Sequence, residues 1–363
     1  MNEILCLDAG SSSLKYAAYL HDGTSENLAC RTSGETPAGA DADAALRAVL
    51  ERAGDSFAAV GHRLVFGGPT YAQPVRADAS VLADIERLVE IEPLHLRAEL
   101  DLVYAAQRRL PDAAQILCFD TAFHRRMPAI AKRLPLPREA DPLLERYGFH
   151  GLSYEYVASQ LDRASGRTIA AHLGAGASLC AMRDGAPVDT TMGFSALGGL
   201  MMATRPGDLD PGVFLRLLAD GYAPAELTDL FYRRSGLVAL AGSADMKALL
   251  ERYDSDDAAR EAVDLFNYQL AKQMGAMVAV LGGLDTLVFT GGIGERAPAI
   301  RTAACRRLAY LGVRLDIAAN ARGDRVASER TSKVRVLVIP ANENLVIARH
   351  VAAMLSRPST SSG

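Results

Sequence analysis

Hydrophobic and polar positions fall into the same short plan twice. Near the start, the apolar run ILCLDA and the run LKYAAYL flank a turn of small residues, Ala9 to Ser13. That spacing predicts strands over 4–8 and 14–20. Near mid-chain, TIAAHL predicts a strand over 168–173, followed by a tight turn over 174–177 and a strand over 178–183. Asp184-Gly185 then reads as a two-residue hairpin turn. Apolar residues recurring every three to four positions predict helices over 43–53, 81–89, 99–109, 258–281 and 297–311. Buried-type strands are expected over 285–288 and 336–339, and a closing helix over 345–356. Two strand–turn–strand units half a chain apart, alternating with helices, predict a duplicated α/β domain without fixed-period repeats.

A chain of 363 residues has room for two domains, and its content of 49% hydrophobic and 23% charged residues is that of a globular protein. The formal net charge of −4 argues against bulk nucleic-acid binding and against attraction to an anionic membrane surface. The five cysteines are scattered with no CxxC pair, a poor disulfide framework and a poor zinc site. No apolar stretch reaches the ~20 residues of a membrane helix. The N-terminus lacks the basic and apolar segments of a leader, so a cytoplasmic location is expected.

Three glycine turns carry candidate chemistry. The first, Asp8-Ala9-Gly10-Ser11-Ser12-Ser13-Leu14-Lys15, offers backbone N–H groups, hydroxyls and a lysine to phosphate oxygens; it is equally readable as a plain hairpin turn. The second is His172-Leu173-Gly174-Ala175-Gly176. The third, Gly291-Gly292-Ile293-Gly294, lies between a strand and a helix, where N–H donors and the positive dipole end suit an anion. One such loop is weak evidence, but three in one chain are hard to ascribe to chance.

With GHRLVFGG, FDTAFHRRMP, RYGFHGLSYEYV, DTTMGFSALGGLMMATRPGDLDPG and PANENLVIAR in order between and after these turns, the sequence resembles the acetate kinases. They belong to the superfamily of acetate and sugar kinases, heat-shock ATPases and actin. The resemblance implies an α/β fold of duplicated ribonuclease-H-like domains with a cleft between them. The domains would be 1–145 plus 346–358 and 146–345, with a frayed tail over 359–363. It implies magnesium-dependent (or manganese-dependent) transfer of the ATP γ-phosphoryl to acetate, giving acetyl phosphate and ADP, in a homodimer formed mainly by the second domain.

The resemblance also implies roles for particular residues. Arg63, Arg205, His150 and Asp120 match the catalytic positions; Arg63, Val65, Leu94, His95, Phe149 and Ala196 match the acceptor site. The nucleotide would meet Ser11, Ser13, Lys15, His172, Gly174, Gly176, Asp245, Met246, Lys247 and Gly291 to Gly294 (with Ile293 among them). Asp8 and Glu343 would hold the metal, with Glu343 at a hinge. Taken singly, Arg63 reads as a surface ion-pair member, His150 as a structural histidine and Asp120 as a cap. His62, His124 and His172 read as supporting groups.

The departures from the family pattern are Asp8 for asparagine, Phe66 for histidine, Ala175 for asparagine, Leu96-Arg97 for asparagine-proline, and Ala196 for the acyl-pocket proline. The smaller Ala196 predicts better tolerance of propionate, because a buried methylene contributes ~0.8 kcal/mol. The alternatives are therefore a propionate kinase, or a catalytically weak nucleotide-binding regulatory protein.

Overall fold

In the computed structural model, which describes residues 2–10, 13–22, 27–37, 41–92, 95–137, 139–141 and 143–356, the opening apolar run becomes strand β1 (Asn2–Ala9). Its side chains alternate: Leu5 and Leu7 enter one hydrophobic cluster, Ile4 and Cys6 another. A strand buried on both faces belongs at the centre of a layered α/β unit. Antiparallel β2 (Ser13–His21) and β3 (Leu28–Pro37) lie to one side of it. To the other side lie β4 (Ala59–Leu64), parallel to β1, and, beyond the short β5 (Val75–Arg76) in sequence, β6 (Ala114–Phe119), parallel to β4. The sheet order is β3-β2-β1-β4-β6-β5.

The helices Ala42–Ala53 and Leu96–Arg109 cover one face of this sheet through Leu46, Val49, Leu102 and Ala106. The helix Glu343–Leu355 covers the other through Val346, Ile347 and Val351. Burying each such aliphatic side chain contributes about 1.5–3 kcal/mol. Helices start before the apolar spacing suggests because a polar cap begins them. Asp41 accepts the Asp43 N–H, Asp78 those of Ser80 and Val81, and Asp256 those of Ala258 and Ala259.

The second sheet repeats the first. Strands β7 (Arg167–Leu173), β8 (Ala177–Arg183) and β9 (Ala186–Thr190) form an antiparallel meander. Then β10 (Thr286–Thr290) and β11 (Arg335–Val338) add in parallel beside β7, giving the order β11-β10-β7-β8-β9. A meander followed by two parallel strands in both sheets is the duplicated ribonuclease-H-like plan. The β8–β9 turn has Asp184 at φ 52° and Gly185 at φ 76°, the two left-handed residues that the hairpin signal demands. The helix expected over 297–311 divides into Pro298–Arg307 and a 3-10 turn, Ala309–Leu311, ended by Gly312 at φ 86°.

The compact units are Met1–Arg125, Phe149–Tyr156 and Asn342–Gly363 for the first, and Arg126–Gly148 and Val157–Ala341 for the second. This differs from a single crossing at 145/146. Residues 126–145 group with the second unit, where the adjoining Arg146 donates to the Thr190 carbonyl at 2.9 Å and Tyr147 N–H donates to Gly193 at 3.0 Å. Phe149–Tyr156 groups with the first, where Leu152 joins the cluster of Ile116 and Cys118 and Phe149 stacks on Phe66 at 6.3 Å. Glu343, expected in the second domain, groups with the first, because its helix buries Val346, Ile347 and Val351 against Ile4, Cys6 and Ile116 of the first sheet. All five cysteines are free. Among the described residues no helix is long and apolar enough to cross a membrane.

Candidate active site

The first unit gathers its charged residues where parallel strands end, the place where open α/β sheets put ligands. Asp8 is near the end of β1, Arg63 near the end of β4, Asp120 just beyond β6, and Glu343 in the first turn of the closing helix. The polypeptide fixes this register: Leu64 pairs with Phe119, and the Asp120 N–H donates to the Leu64 carbonyl at 2.9 Å. Arg63 is the hub. Its Nε and Nη2 donate to one oxygen of Asp120 at 3.1 and 2.7 Å, and its Nη1 donates to Asp8 at 3.3 Å and to the Ala9 carbonyl at 3.1 Å. Glu343 stands 3.7 Å from Nε and Glu99 3.9 Å from Nη1.

One guanidinium thus faces four carboxylates. Burial alone would lower the Arg63 pKa, but Asp120, Asp8, Glu343 and Glu99 together hold it well above its ordinary value. The carboxylates bear the opposite consequence. Burial first, then Asp8 and Asp120, push the Glu343 carboxyl well up, with Arg63 and Lys15 opposing. A cation bound beside these carboxyls would draw Glu343 back towards its ionised form. The second oxygen of Asp120 is buried with no hydrogen-bond partner, a hard donor suited to a divalent cation or its water. Among the described residues no group of three or more His, Cys, Asp or Glu forms a ready-made metal cage. Magnesium needs only one or two carboxylates beside phosphate oxygens and water, so the donors present fit it.

Around this hub the Glu92 carboxylate accepts from His95 Nδ1 at 2.8 Å. Val65, buried, directly follows β4, and Phe149 packs on Phe66. His150 adopts φ 58°, a left-handed conformation uncommon outside glycine, at the entrance to the helix Gly151–Ser159. The carbonyl preceding it, Phe149 O, accepts from His124 Nε2 at 2.9 Å. Gly10 N–H donates to Ser13 at 2.8 Å, closing the first turn, and Lys15 is exposed beside it. Ser11 and Leu94 lie outside the described residues.

In the second unit the two other glycine turns meet. A Cβ built on Gly174 would lie 3.8 Å from His172 Nε2 and 4.0 Å from the Gly292 nitrogen. Gly174 N–H donates to Gly176 at 2.9 Å, which repeats the closure of the first turn. Residues Gly291–Arg296, with Ile293 inside, form one short helical turn after β10. Arg205 donates from Nη1 to the Ala196 carbonyl at 2.9 Å. Asp245 caps the next short helix through the Lys247 N–H. Met246 is buried, so its side chain packs the unit, whereas Lys247 is exposed beside Glu251.

The sequence reading missed Glu99. It sits three residues after Leu96 and four before Val103, on the buried stripe of its helix, and a carboxylate on an apolar stripe was the signal available. The reading of His62 and His124 as supporting groups agrees with their surroundings. His62 Nε2 meets the Gln115 side-chain oxygen at 2.8 Å, and burial pushes both imidazoles down to about 4. An unfolded histidine titrates near ~6.5, so on acidification the unfolded chain takes up protons that the folded one refuses. Stability therefore falls as pH drops from about 6.5 to about 4, by about 1.4 kcal/mol per group per pH unit. Urea unfolding at pH 7 and pH 5 checks this: His62→Gln and His124→Gln each flatten the dependence.

The profile of the acetokinase family matches residues 3–349. An acetate kinase of Rhodopseudomonas palustris (strain TIE-1) is 44% identical over 388 residues, covering 96% of this chain and 97% of its own length. Among solved structures, a propionate kinase from Francisella tularensis subsp. tularensis SCHU S4 superposes with a TM-score of 0.85 at 32% identity, over 96% of this chain and 99% of the other. Acetate kinase from Entamoeba histolytica does so with a TM-score of 0.84 at 30% identity, over 95% and 97% of the two chains.

Proposed function

The chain belongs to the acetokinase family, and from that premise we propose that it transfers the ATP γ-phosphoryl group to acetate, giving acetyl phosphate and ADP reversibly. It is a phosphotransferase with a carboxyl group as acceptor. The observation that carries the reading on the acceptor side is Arg63 held among four carboxylates at the strand ends. Acetate is already ionised at neutral pH and needs no general base. An acetate oxygen attacks the γ-phosphorus while the bond to the ADP oxygen breaks, in line and without a covalent intermediate on the protein. The obstacle is repulsion between two anions, and catalysis here is charge neutralisation and positioning.

The residues divide this work. Asp120, Asp8 and the Ala9 carbonyl hold the plane of Arg63, whose remaining Nη2 N–H and positive charge face the acceptor carboxylate and the equatorial phosphoryl oxygens. Asp120 therefore acts through Arg63, not as a proton acceptor. Arg205 and His150 supply further positive or donor character to the moving phosphoryl, and Val65, His95, Phe149 and Ala196 border the acyl group. Lys15, Ser13 and the turns at His172 to Gly176 and Gly291 to Gly294 hold the nucleotide phosphates and ribose. Asp8 and Glu343 would hold Mg2+ or Mn2+, whose charge would screen the phosphates when bound.

A second copy of the chain is the partner proposed for the second unit. Val213, Phe214, Leu215 and Leu218, together with Leu209 and Tyr222, are all exposed on or beside the helix Pro211–Ala219. Phe214→Glu with Leu218→Glu is expected to convert a dimer into monomers in sedimentation velocity.

Trapping acyl phosphate as hydroxamate tests the reaction, with ATP or pyrophosphate as donor and acetate, propionate or butyrate as acceptor. ATP with acetate should give product, and Ala196 favours appreciable turnover of propionate. Absence of acyl phosphate from every acid would overturn the reading in favour of a nucleotide-binding regulator. Turnover with pyrophosphate alone would overturn the nucleotide assignment.

A further inference from the structure

Glu99 is the one carboxylate of the Arg63 cluster that the reaction leaves without a role. It is 2% exposed on the helix Leu96–Arg109, among the buried residues Leu96, Leu100 and Val103. One of its oxygens accepts the Val65 backbone N–H at 2.9 Å. The other stands 3.9 Å from Arg63 Nη1 and makes no hydrogen bond. A buried carboxyl is unfavourable unless its oxygens are met, and here one oxygen is met by the Val65 amide while the other is set beside Arg63. Burial pushes the carboxyl up to about 8, with Arg63 and the Val65 N–H pulling the other way.

Arg63 and Val65 are two residues apart at the end of β4, so one carboxylate in contact with both ties a guanidinium and an apolar side chain to a single helix. Resting on the reading in which both border the acceptor acid, we propose that Glu99 is a positioning residue that sets acceptor affinity and acyl-chain preference. It fixes the depth of the Val65 side chain relative to the charge that receives the carboxylate. Its length matters more than its charge: the side chain must span from the helix to the Val65 amide.

Two variants separate this from a purely structural role. Glu99→Gln keeps the length and an acceptor oxygen; Glu99→Asp keeps the charge and withdraws it by one methylene. Glu99→Asp is expected to raise KM for acetate about tenfold, with KM for ATP unchanged and kcat within about threefold. It should also narrow the kcat/KM ratio between acetate and propionate. Glu99→Gln is expected to restore KM for acetate to within about threefold of the parent. The proposal is overturned if KM for acetate is unmoved in both, if the two KM values rise in parallel, or if Glu99→Asp does not fold. A parent protein that makes no acyl phosphate would instead overturn the functional reading beneath it, which the hydroxamate assay reports separately.

Discussion

Replacing Arg63 with alanine is expected to lower kcat/KM for acetyl phosphate formation about a thousandfold, as loss of a preorganised donor to a developing anion does. It should also destabilise the first unit by about 3–5 kcal/mol at neutral pH, because its buried carboxylates lose their partner. The stability loss has a characteristic pH dependence. Without the guanidinium, Glu99 and Glu343, which burial already pushes up and Arg63 now restrains, rise further above the ordinary carboxylate range. A folded-state acid with a raised pKa destabilises progressively as pH climbs from its unfolded value to its folded one. The variant should therefore recover stability as pH is lowered from 8 towards 5, while its activity does not return. Thermal unfolding at pH 5, 7 and 8 beside the hydroxamate assay reads both. Arg63→Lys should fall between, about a hundredfold down, since a point charge cannot make the two-donor grip on Asp120. Equal loss of stability at all three pH values would remove the carboxylate cluster from the account.

The parts of this arrangement that could be read from sequence are those that local chemistry decides. The strand–turn–strand repeat is local, because short continuous apolar runs and a tight turn between them need only neighbouring residues. Asp184-Gly185 shows it most plainly. The six helices expected from apolar spacing were equally legible, whereas Gly151–Ser159, Pro211–Ala219 and Pro224–Arg233 were not, and helix starts were less so, since Asp41 and Asp256 act through backbone N–H groups ahead of the apolar stripe. Strand β4 was hidden. It carries His62 and Arg63 inside an otherwise buried run, because this strand end is where the site is built, and polar residues there mask the strand signal.

Non-local facts were out of reach. No pattern in 126–156 tells which core a short apolar segment will join, so a double crossing of the chain between units read as one junction. The motif resemblance supplied Asp8, Arg63, Asp120 and Glu343, which the first unit does bring together. It did not supply Glu99, whose partner at Val65 is 34 residues away and is recognised only once the helix lies on β4.

Gly151→Ala is the second substitution with a large expected effect, and the reason is a backbone contact. A Cβ at this position would lie 1.9 Å from the Asp120 carbonyl oxygen and 2.9 Å from its carbon, with Phe123 Cβ at 3.0 Å. Main-chain atoms cannot rotate aside as a side chain can, so either the start of the helix Gly151–Ser159 or the segment after β6 must move. Both bear on the site: Asp120 loses its side-on grip on Arg63, or His150 leaves its left-handed conformation. Overpacking of this kind costs about 1–3 kcal/mol in ordinary cores, and a contact this short with backbone belongs at or beyond the upper end. Because a misplacement of about 1 Å can lower turnover a hundredfold, kcat should fall further than stability alone accounts for. Gly275→Ala is the matched control. It lies inside the helix Asp257–Leu281 with nothing within 4 Å of a built Cβ, so the same methyl should stabilise by about 0.5–1 kcal/mol. Thermal unfolding and steady-state kinetics on the pair decide the matter: a Gly151→Ala enzyme with the parent's kcat would mean that Asp120 and Arg63 do not depend on this contact.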